Sequence, residues 1–172
     1  TFYGCFNIRS HIPNFSFNNK VKFCTTKRGH GMFSGCNNLI GQIPAWDLTN
    51  VQNLNLSNCF NNCVNITDFH NNFKVNMSIV SYKNIFTNCF NLSKNAIYNI
   101  MNIFAPIHPQ NAQNDFFTYI GLNNSQYLTN LAFDLRTLEI LSLISNFKNN
   151  WPTTVNRIAA AIETDIYDTS IS

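Results

Sequence analysis

The chain has 172 residues, enough for one compact domain or a short array of repeats. Only 11% of the residues are charged, against about 25% in ordinary soluble domains. The net charge of +3 and the lack of any run of eighteen apolar residues argue against nucleic-acid binding and membrane insertion. Asparagine is abundant and tolerates tight turns, which favours a fold built of turns; an AT-rich genome would also enrich it.

Four segments in the first half of the chain share the pattern Phe-x-x-Cys-x-Asn-(Ile/Leu). Its aromatic and sulfur positions are Phe2, Cys5, Phe33, Cys36, Phe60, Cys63, Phe86 and Cys89. Phe and Cys, three residues apart, lie on one side of a short helical turn, so we expect both to point inward. A coil of this length cannot bury its apolar side alone, and the pattern therefore predicts coils stacked around one core.

Other positions of the repeat carry further predictions. A glycine or asparagine between Phe and Cys indicates a tight left-handed turn, at Gly4, Gly35, Asn62 and Asn88. The asparagine after Cys is expected to bond the backbone of the next coil. The segments that begin at the Ile or Leu position are predicted to form four parallel strands, starting at Ile8, Leu39, Ile66 and Leu92. Residues 51–56 are compatible with a second extended segment.

Helical periodicity begins near residue 96. The first helix has apolar residues at Ile97, Ile100, Met101 and Phe104 and is ended by Pro106 and Pro109. A second is predicted around Phe116, Phe117 and Ile120, ending at Gly121. A third should start at Ser125, and a fourth is marked by Leu138, Leu141, Ile144 and Phe147. A fifth is marked by Val155, Ile158, Ala159 and Ile162, with Thr153 or Thr154 as N-cap.

The helices are interpreted as a cover for the last coil, which would otherwise expose its core. A separate functional domain is the alternative, but no linker divides the two regions. The predicted organisation is therefore repeats over residues 1–95, a helical cap over 96–152, and a C-terminal helix and tail over 153–172.

In these repeats the chain resembles the BspA-like subfamily of leucine-rich repeats, whose units carry Phe-x-x-Cys-x-x-Leu-x-x-Ile-x-Pro. The proline is absent from the third and fourth copies, where Asp68-Phe69 and Asn95-Ala96 stand instead. The resemblance implies an α/β solenoid of leucine-rich-repeat-like parallel coils with a C-terminal helical cap. Such repeats occur in bacterial surface adhesins, in some parasitic protists and in bacteriophage and prophage tail proteins.

Residues 92–101, 119–126 and 147–153 resemble segments that follow such repeats in phage tail proteins. The function implied is a non-enzymatic structural domain of a phage or prophage tail, exposed on the virion and involved in host attachment. Its partners would be other virion subunits, in a homo-oligomer, and a host-surface polysaccharide or protein. The alternative is a leucine-rich-repeat adhesin on a bacterial cell surface. An enzyme carried on the repeats would instead need a deep pocket of perturbed titratable groups.

The cysteines allow three interpretations. Stacked coils would bring the repeat cysteines within disulfide range, but parallel side chains disfavour the bond. Buried thiols packed as small apolar groups are the favoured interpretation. A zinc site could be drawn with Cys59 and Cys63, or with Cys24, His30 and Cys36, yet neither set has the paired spacing of structural zinc. We predict no metal, no cofactor and no catalytic site.

Two surfaces are candidates for binding. The stretch 20–31 lies in the longest coil and resembles an inserted basic loop, with Lys20, Lys22, Lys27, Arg28 and His30. Insertions in such arrays often lie on the binding face, although a solvated loop without a partner is the alternative. The second surface consists of strand positions expected to face outward, Arg9, His11, Ile40, Gln42, Thr67 and Phe69. A slip of one residue in register would invert this set.

Overall fold

The computed structural model describes residues 2, 4, 5, 7–16, 31–123 and 149–160. Its strands are β1 (Gly41–Ile43), β2 (Asp47–Leu48), β3 (Ile66–Phe69) and β4 (Lys74–Val75). Its helices are α1 (Lys94–Phe104), α2 (Phe116–Ile120) and α3, which covers residues 152–160. Within these ranges, no helix is long and apolar enough to cross a membrane. The predicted third and fourth helices, at 125–147, and the tail at 163–172 lie outside the described residues.

The phenylalanines of the four repeats form a column of parallel rings. The ring centroids of Phe2 and Phe33 are 5.1 Å apart, those of Phe33 and Phe60 5.8 Å, and those of Phe60 and Phe86 6.1 Å. The planes of neighbouring rings differ by at most 6°. The three later rings are buried as predicted, whereas Phe2 is 36% exposed. Repeats that are 26 to 31 residues long thus place equivalent rings one above another.

The repeat cysteines form a second column beside the rings. Each thiol donates a hydrogen bond to the carbonyl oxygen of the phenylalanine one repeat earlier, in the pairs Cys36–Phe2, Cys63–Phe33 and Cys89–Phe60. The sulfurs of these pairs lie 2.8–3.1 Å from the oxygens, and all three cysteines are buried and free. Their thiols therefore serve as donors to the backbone. Cys5, in the first repeat, is only half-buried.

The turn between Phe and Cys is left-handed in every copy. The φ angles are 67° at Gly4, 79° at Gly35, and 62° at both Asn62 and Asn88. This confirms the prediction, since glycine and asparagine enter that region at the lowest cost. The asparagine two places after Cys also bonds between repeats, but in the opposite direction to the one predicted. Asn65 donates to the carbonyl of Asn37, and Asn91 to that of Val64, each in the preceding copy.

The strands pair in two short parallel ladders, β1 with β3 and β2 with β4. A parallel bridge between His11 and Ile40 extends the first ladder by one repeat. The prediction of four parallel strands is wrong for the fourth copy, and the first copy contributes only the His11 bridge. Ser93 donates its N–H to Thr67, but its side chain then accepts from Ala96 and caps α1. A serine N-cap favours a helix over further extension, so the chain turns into α1 one residue later.

A second aromatic column was missed by the sequence analysis. Phe15, Trp46, Phe73 and Phe104 follow one another with ring centroids 6.0–6.1 Å apart. The first three stand thirteen residues after a repeat phenylalanine, so the signal was present in the sequence. In the fourth copy that place falls on Asn99, a buried amide that donates to the carbonyl of Phe69. Phe104 of α1 supplies the missing ring.

The helices after α1 complete the core of the last repeat. In the third copy, the N–H groups of Asn58 and Phe60 donate to carbonyls of the fourth. The equivalent groups of the fourth copy, Asn84 and Phe86, donate to the end of α2, to Tyr119 and Ile120. The buried residues of repeats and helices form one cluster. The C-terminal end of α2 therefore occupies the place that a further coil would take.

The helix boundaries follow local signals, with one correction. α1 ends at Phe104, just before Pro106, and α2 ends at Gly121 in the left-handed conformation, as predicted. Neither Thr153 nor Thr154 is the N-cap of α3, because Pro152 is already its first helical residue. Thr154 is fully buried and accepts a hydrogen bond from the N–H of Phe116 instead.

Candidate binding site

Only some of the residues predicted to bind a ligand lie in the described part of the chain. The basic loop residues Lys20, Lys22, Lys27, Arg28 and His30 lie outside the described part of the chain. Of the strand positions, Arg9, His11 and Gln42 are exposed, and Ile40 and Thr67 are half-buried.

Phe69 is only 1% exposed, so its assignment to the outer face was wrong. The register shifts by one residue between Gly41 and Gln42. Gln42 therefore pairs with Asp68, and Phe69 lies opposite the buried Ile43. Since side chains alternate across a strand, this shift turns Phe69 into the core. Arg9, His11 and Gln42 do not line the cleft described below.

A cleft of about 770 Å³ lies between the fourth repeat and the helices, and the sequence analysis did not find it. Its volume falls in the range of about 300–1,000 Å³ that is usual for small-molecule sites. All of the described lining residues carry a polar or charged side chain. They are Lys83, Asn84, Asn111, Gln113, Asn114, Asp115, Thr118, Tyr119 and Thr153. Most of these groups are side-chain amides and hydroxyls, which both donate and accept hydrogen bonds.

Tyr119 fixes one wall of the cleft. This residue of α2 is 4% exposed, and its hydroxyl lies 2.8 Å from Asn111 Oδ1 and 3.1 Å from Ser81 Oγ. It also accepts from the N–H of Tyr82, at 3.3 Å. The amide nitrogen of Asn111 donates in turn to Ser81. The network ties the loop after α1 to the fourth repeat, so the cleft has a rigid side before any ligand binds.

Asp115, which directly precedes α2, fixes a second part of the lining. Its carboxylate accepts hydrogen bonds from Thr118 and Thr154, both at 2.7 Å, and forms an ion pair with Arg157 of α3. Burial by itself would raise the pKa of Asp115. The two hydroxyl donors and the Arg157 charge outweigh burial and hold that pKa below its usual value. The carboxylate is therefore ionised near neutral pH and already bound on both oxygens.

Asp115 should make the stability of the protein sensitive to acid. Its lowered folded-state pKa gives a stabilisation that is present above the unfolded pKa of about 4 and is lost as pH falls through the folded value. We expect Asp115→Asn to cost about 1–2 kcal/mol of unfolding free energy at pH 7. The difference from the unchanged protein should shrink towards pH 3 in urea denaturation. A difference that is constant across this range would contradict the role of the ion pair.

Five other lining side chains make no side-chain hydrogen bond or salt bridge with any described residue. They are Lys83, Asn84, Gln113, Asn114 and the exposed Thr153. Lys83, Gln113 and Asn114 are exposed, and Asn84 is half-buried with φ at 57°. These groups are therefore available to a ligand, whereas Asn111, Thr118 and Tyr119 are committed to the walls.

None of the five described cysteines lines the cleft. Burial raises the pKa of Cys59 and of Cys89 to about 12, which keeps both thiols protonated and poorly nucleophilic. Burial also raises the pKa of Cys36 and Cys63. The described part of the chain contains no group of three or more His, Cys, Asp or Glu side chains that could hold a metal ion.

Sequence reasoning missed the cleft because its residues come from three separate stretches, 83–84, 111–119 and 153. The polar run at 110–115 was a signal, but nothing local showed what would face it.

No family model, no curated protein and no solved structure matches the chain.

Proposed function

We propose that this chain is a non-enzymatic attachment domain, a leucine-rich-repeat-like solenoid carried on a phage or prophage tail, that binds a host-surface polysaccharide. The observation that carries the proposal is the cleft of amides and hydroxyls between the fourth repeat and the helices. Hydrogen bonds already hold several of its lining side chains in place, which reduces the cost of ordering them when a ligand binds.

The chemistry of the lining supports binding over catalysis. Side-chain amides and hydroxyls pair with sugar hydroxyls but are too weak as acids and bases for acid–base catalysis near neutral pH. The carboxylate of Asp115 is engaged by Thr118, Thr154 and Arg157, which suits a structural role better than acid–base work. The ring and thiol columns support the solenoid, because each repeat contacts its neighbour through the same groups.

The proposal that a phage or prophage tail carries this domain rests on the sequence. The support is the resemblance of residues 92–101, 119–126 and 147–153 to segments of phage tail proteins. A virion position implies neighbouring copies and an extracellular surface as partners. The same cleft would serve a bacterial cell-surface adhesin, and detection of the native protein in virions or on cells separates the two carriers.

The test is binding of the whole chain to intact bacteria and to their extracted polysaccharides. We expect saturable binding, with no shortening of the bound polymer in size-exclusion chromatography. Gln113→Ala combined with Asn114→Ala should weaken binding about tenfold, since each lost hydrogen bond contributes about 0.5–1.5 kcal/mol. The matched control is Gln52→Ala with Asn71→Ala, two exposed amides outside the cleft, which should bind normally.

Three results bear on the proposal in different ways. Equal binding by both double variants would move the site away from the cleft. A variant lacking residues 20–31 then shows whether the basic loop carries the binding. Absence of binding to every cell and polymer tested, in an oligomeric state matching the native particle, would leave a purely structural domain and refute the attachment role.

A further inference from the structure

The ion pair between Asp115 and Arg157 leaves the described lining of the cleft with more positive than negative charge. Asp115 is paired with Arg157, so its negative charge is neutralised within the wall. Lys83 lines the same cleft, is exposed, and has no salt bridge with any of the described residues. The described lining therefore presents one uncompensated positive charge. An ammonium group in this setting attracts an anion without first having to break an ion pair.

The three amide side chains that remain available indicate what kind of molecule carries the anionic group. Asn84, Gln113 and Asn114 can each present an N–H₂ donor and a carbonyl acceptor to the cleft. Together they match a ligand with several hydroxyl groups, because a hydroxyl both donates and accepts. Among the described lining residues Tyr119 alone is aromatic, and it is almost fully buried, so its ring offers little surface for stacking. A flat aromatic ligand would therefore gain little from ring stacking here.

We infer that the cleft binds an anionic, hydroxyl-rich polymer unit, with the negative charge on Lys83 and hydroxyls on Asn84, Gln113 and Asn114. The anion is a carboxylate, as in a uronic acid, or a phosphate, as in a polyol phosphate chain. This rests on the proposed attachment function and adds the ligand class. A lysine ammonium is a point charge, so it accepts either anion without a fixed geometry.

The test compares three soluble ligands by isothermal titration calorimetry with the whole chain. They are an oligogalacturonate, a neutral oligogalactan of the same length, and an oligomeric glycerol phosphate. We expect at least one anionic ligand to bind about tenfold more tightly than the neutral one at low salt. Its affinity should fall as the salt concentration rises, because free ions screen the Lys83 charge. The anionic ligand that binds identifies the source of the charge.

Variants of Lys83 test whether this side chain is responsible for the tighter binding of the anionic ligand. Lys83→Gln should weaken binding of the anionic ligand about fivefold to tenfold and flatten its salt dependence, while Lys83→Arg keeps the charge and should retain most of the affinity. Lys94→Gln is the control, since Lys94 is also exposed but lies at the start of α1 outside the cleft. Thermal unfolding of each variant checks that the fold is unchanged.

The failures of the two proposals can be told apart. If the neutral oligogalactan binds as tightly as the anionic ligands, or if Lys83→Gln has no effect, the inferred ligand class is overturned while attachment stands. If no soluble ligand binds but bacteria are still bound, the cleft is not the glycan site and the inference is also overturned. If neither ligands nor cells are bound, both proposals fail together.

Discussion

Replacing Phe60 by alanine should lower the free energy of unfolding by about 3–5 kcal/mol, as for other large aromatic-to-alanine changes in cores. Phe60 is fully buried at the centre of the ring column, between Phe33 and Phe86. Its ring centroid is also 5.9 Å from that of Trp46, in the second aromatic column. Its removal leaves a cavity that touches both columns. The fixed backbone bonds between repeats prevent the coils from closing it. Urea denaturation followed by circular dichroism measures the loss.

The control for Phe60 is another phenylalanine of the same array. Phe90, which follows the fourth repeat cysteine, is 64% exposed. We expect Phe90→Ala to change the unfolding free energy by less than about 0.5 kcal/mol, as for most surface substitutions. A similar loss in the two variants would mean that the ring column does not stabilise the fold through packing.

Replacing Trp151 by alanine should also cost about 3–5 kcal/mol. Trp151 is fully buried, directly before α3, and its indole N–H donates to the carbonyl of Ala105 at 2.8 Å. Its ring packs against Phe116 and Tyr119 of α2, with centroids 5.3 and 5.9 Å apart. The side chain thus joins α3 to the end of α1 and to the cleft wall. Far-ultraviolet circular dichroism is the suitable probe, because the substitution removes one of the two tryptophans.

A graded variant separates packing from hydrogen bonding at this position. Trp151→Phe keeps an aromatic ring but leaves the Ala105 carbonyl without its donor, and we expect a smaller loss of about 1–3 kcal/mol. The repeats and helices share one core, so both variants should unfold in a single transition. Two separated transitions, or a loss below about 1 kcal/mol in the alanine variant, would show that the helices are energetically independent of the repeats.

Where the sequence predicted structure well, the signal was local. The left-handed turns at Gly4, Gly35, Asn62 and Asn88 follow from the conformational freedom of these residues. α1 and α2 follow from apolar periodicity and from stop signals such as Pro106 and Gly121. Inward-facing cysteines follow from their spacing to phenylalanine. Each of these depends on a few neighbouring residues, so a single sequence contains the information.

The missed features depended on pairing between distant segments. Phe69 was assigned to the outer face because the strands were aligned without a shift, and a shift of one residue between β1 and β3 turned it inward. The fourth copy was expected to form a strand like the others, but the cap at Ser93 and the packing of Phe104 made it a helix. The Ser93 cap is a local signal, whereas the place of Phe104 beside Phe73 depends on packing against a distant repeat.

By itself, the sequence determined the period of the repeats, the identity of the buried ring and thiol columns, and the places where the backbone turns. These follow from residue type and spacing, which act within one coil. Only the tertiary structure decided that α2 completes the last repeat, that Thr154 and Arg157 hold Asp115, and that Lys83 and the amides share a cleft. These pairs lie about 30 to 42 positions apart in the sequence, and their geometry is set by how the helices pack on the repeats.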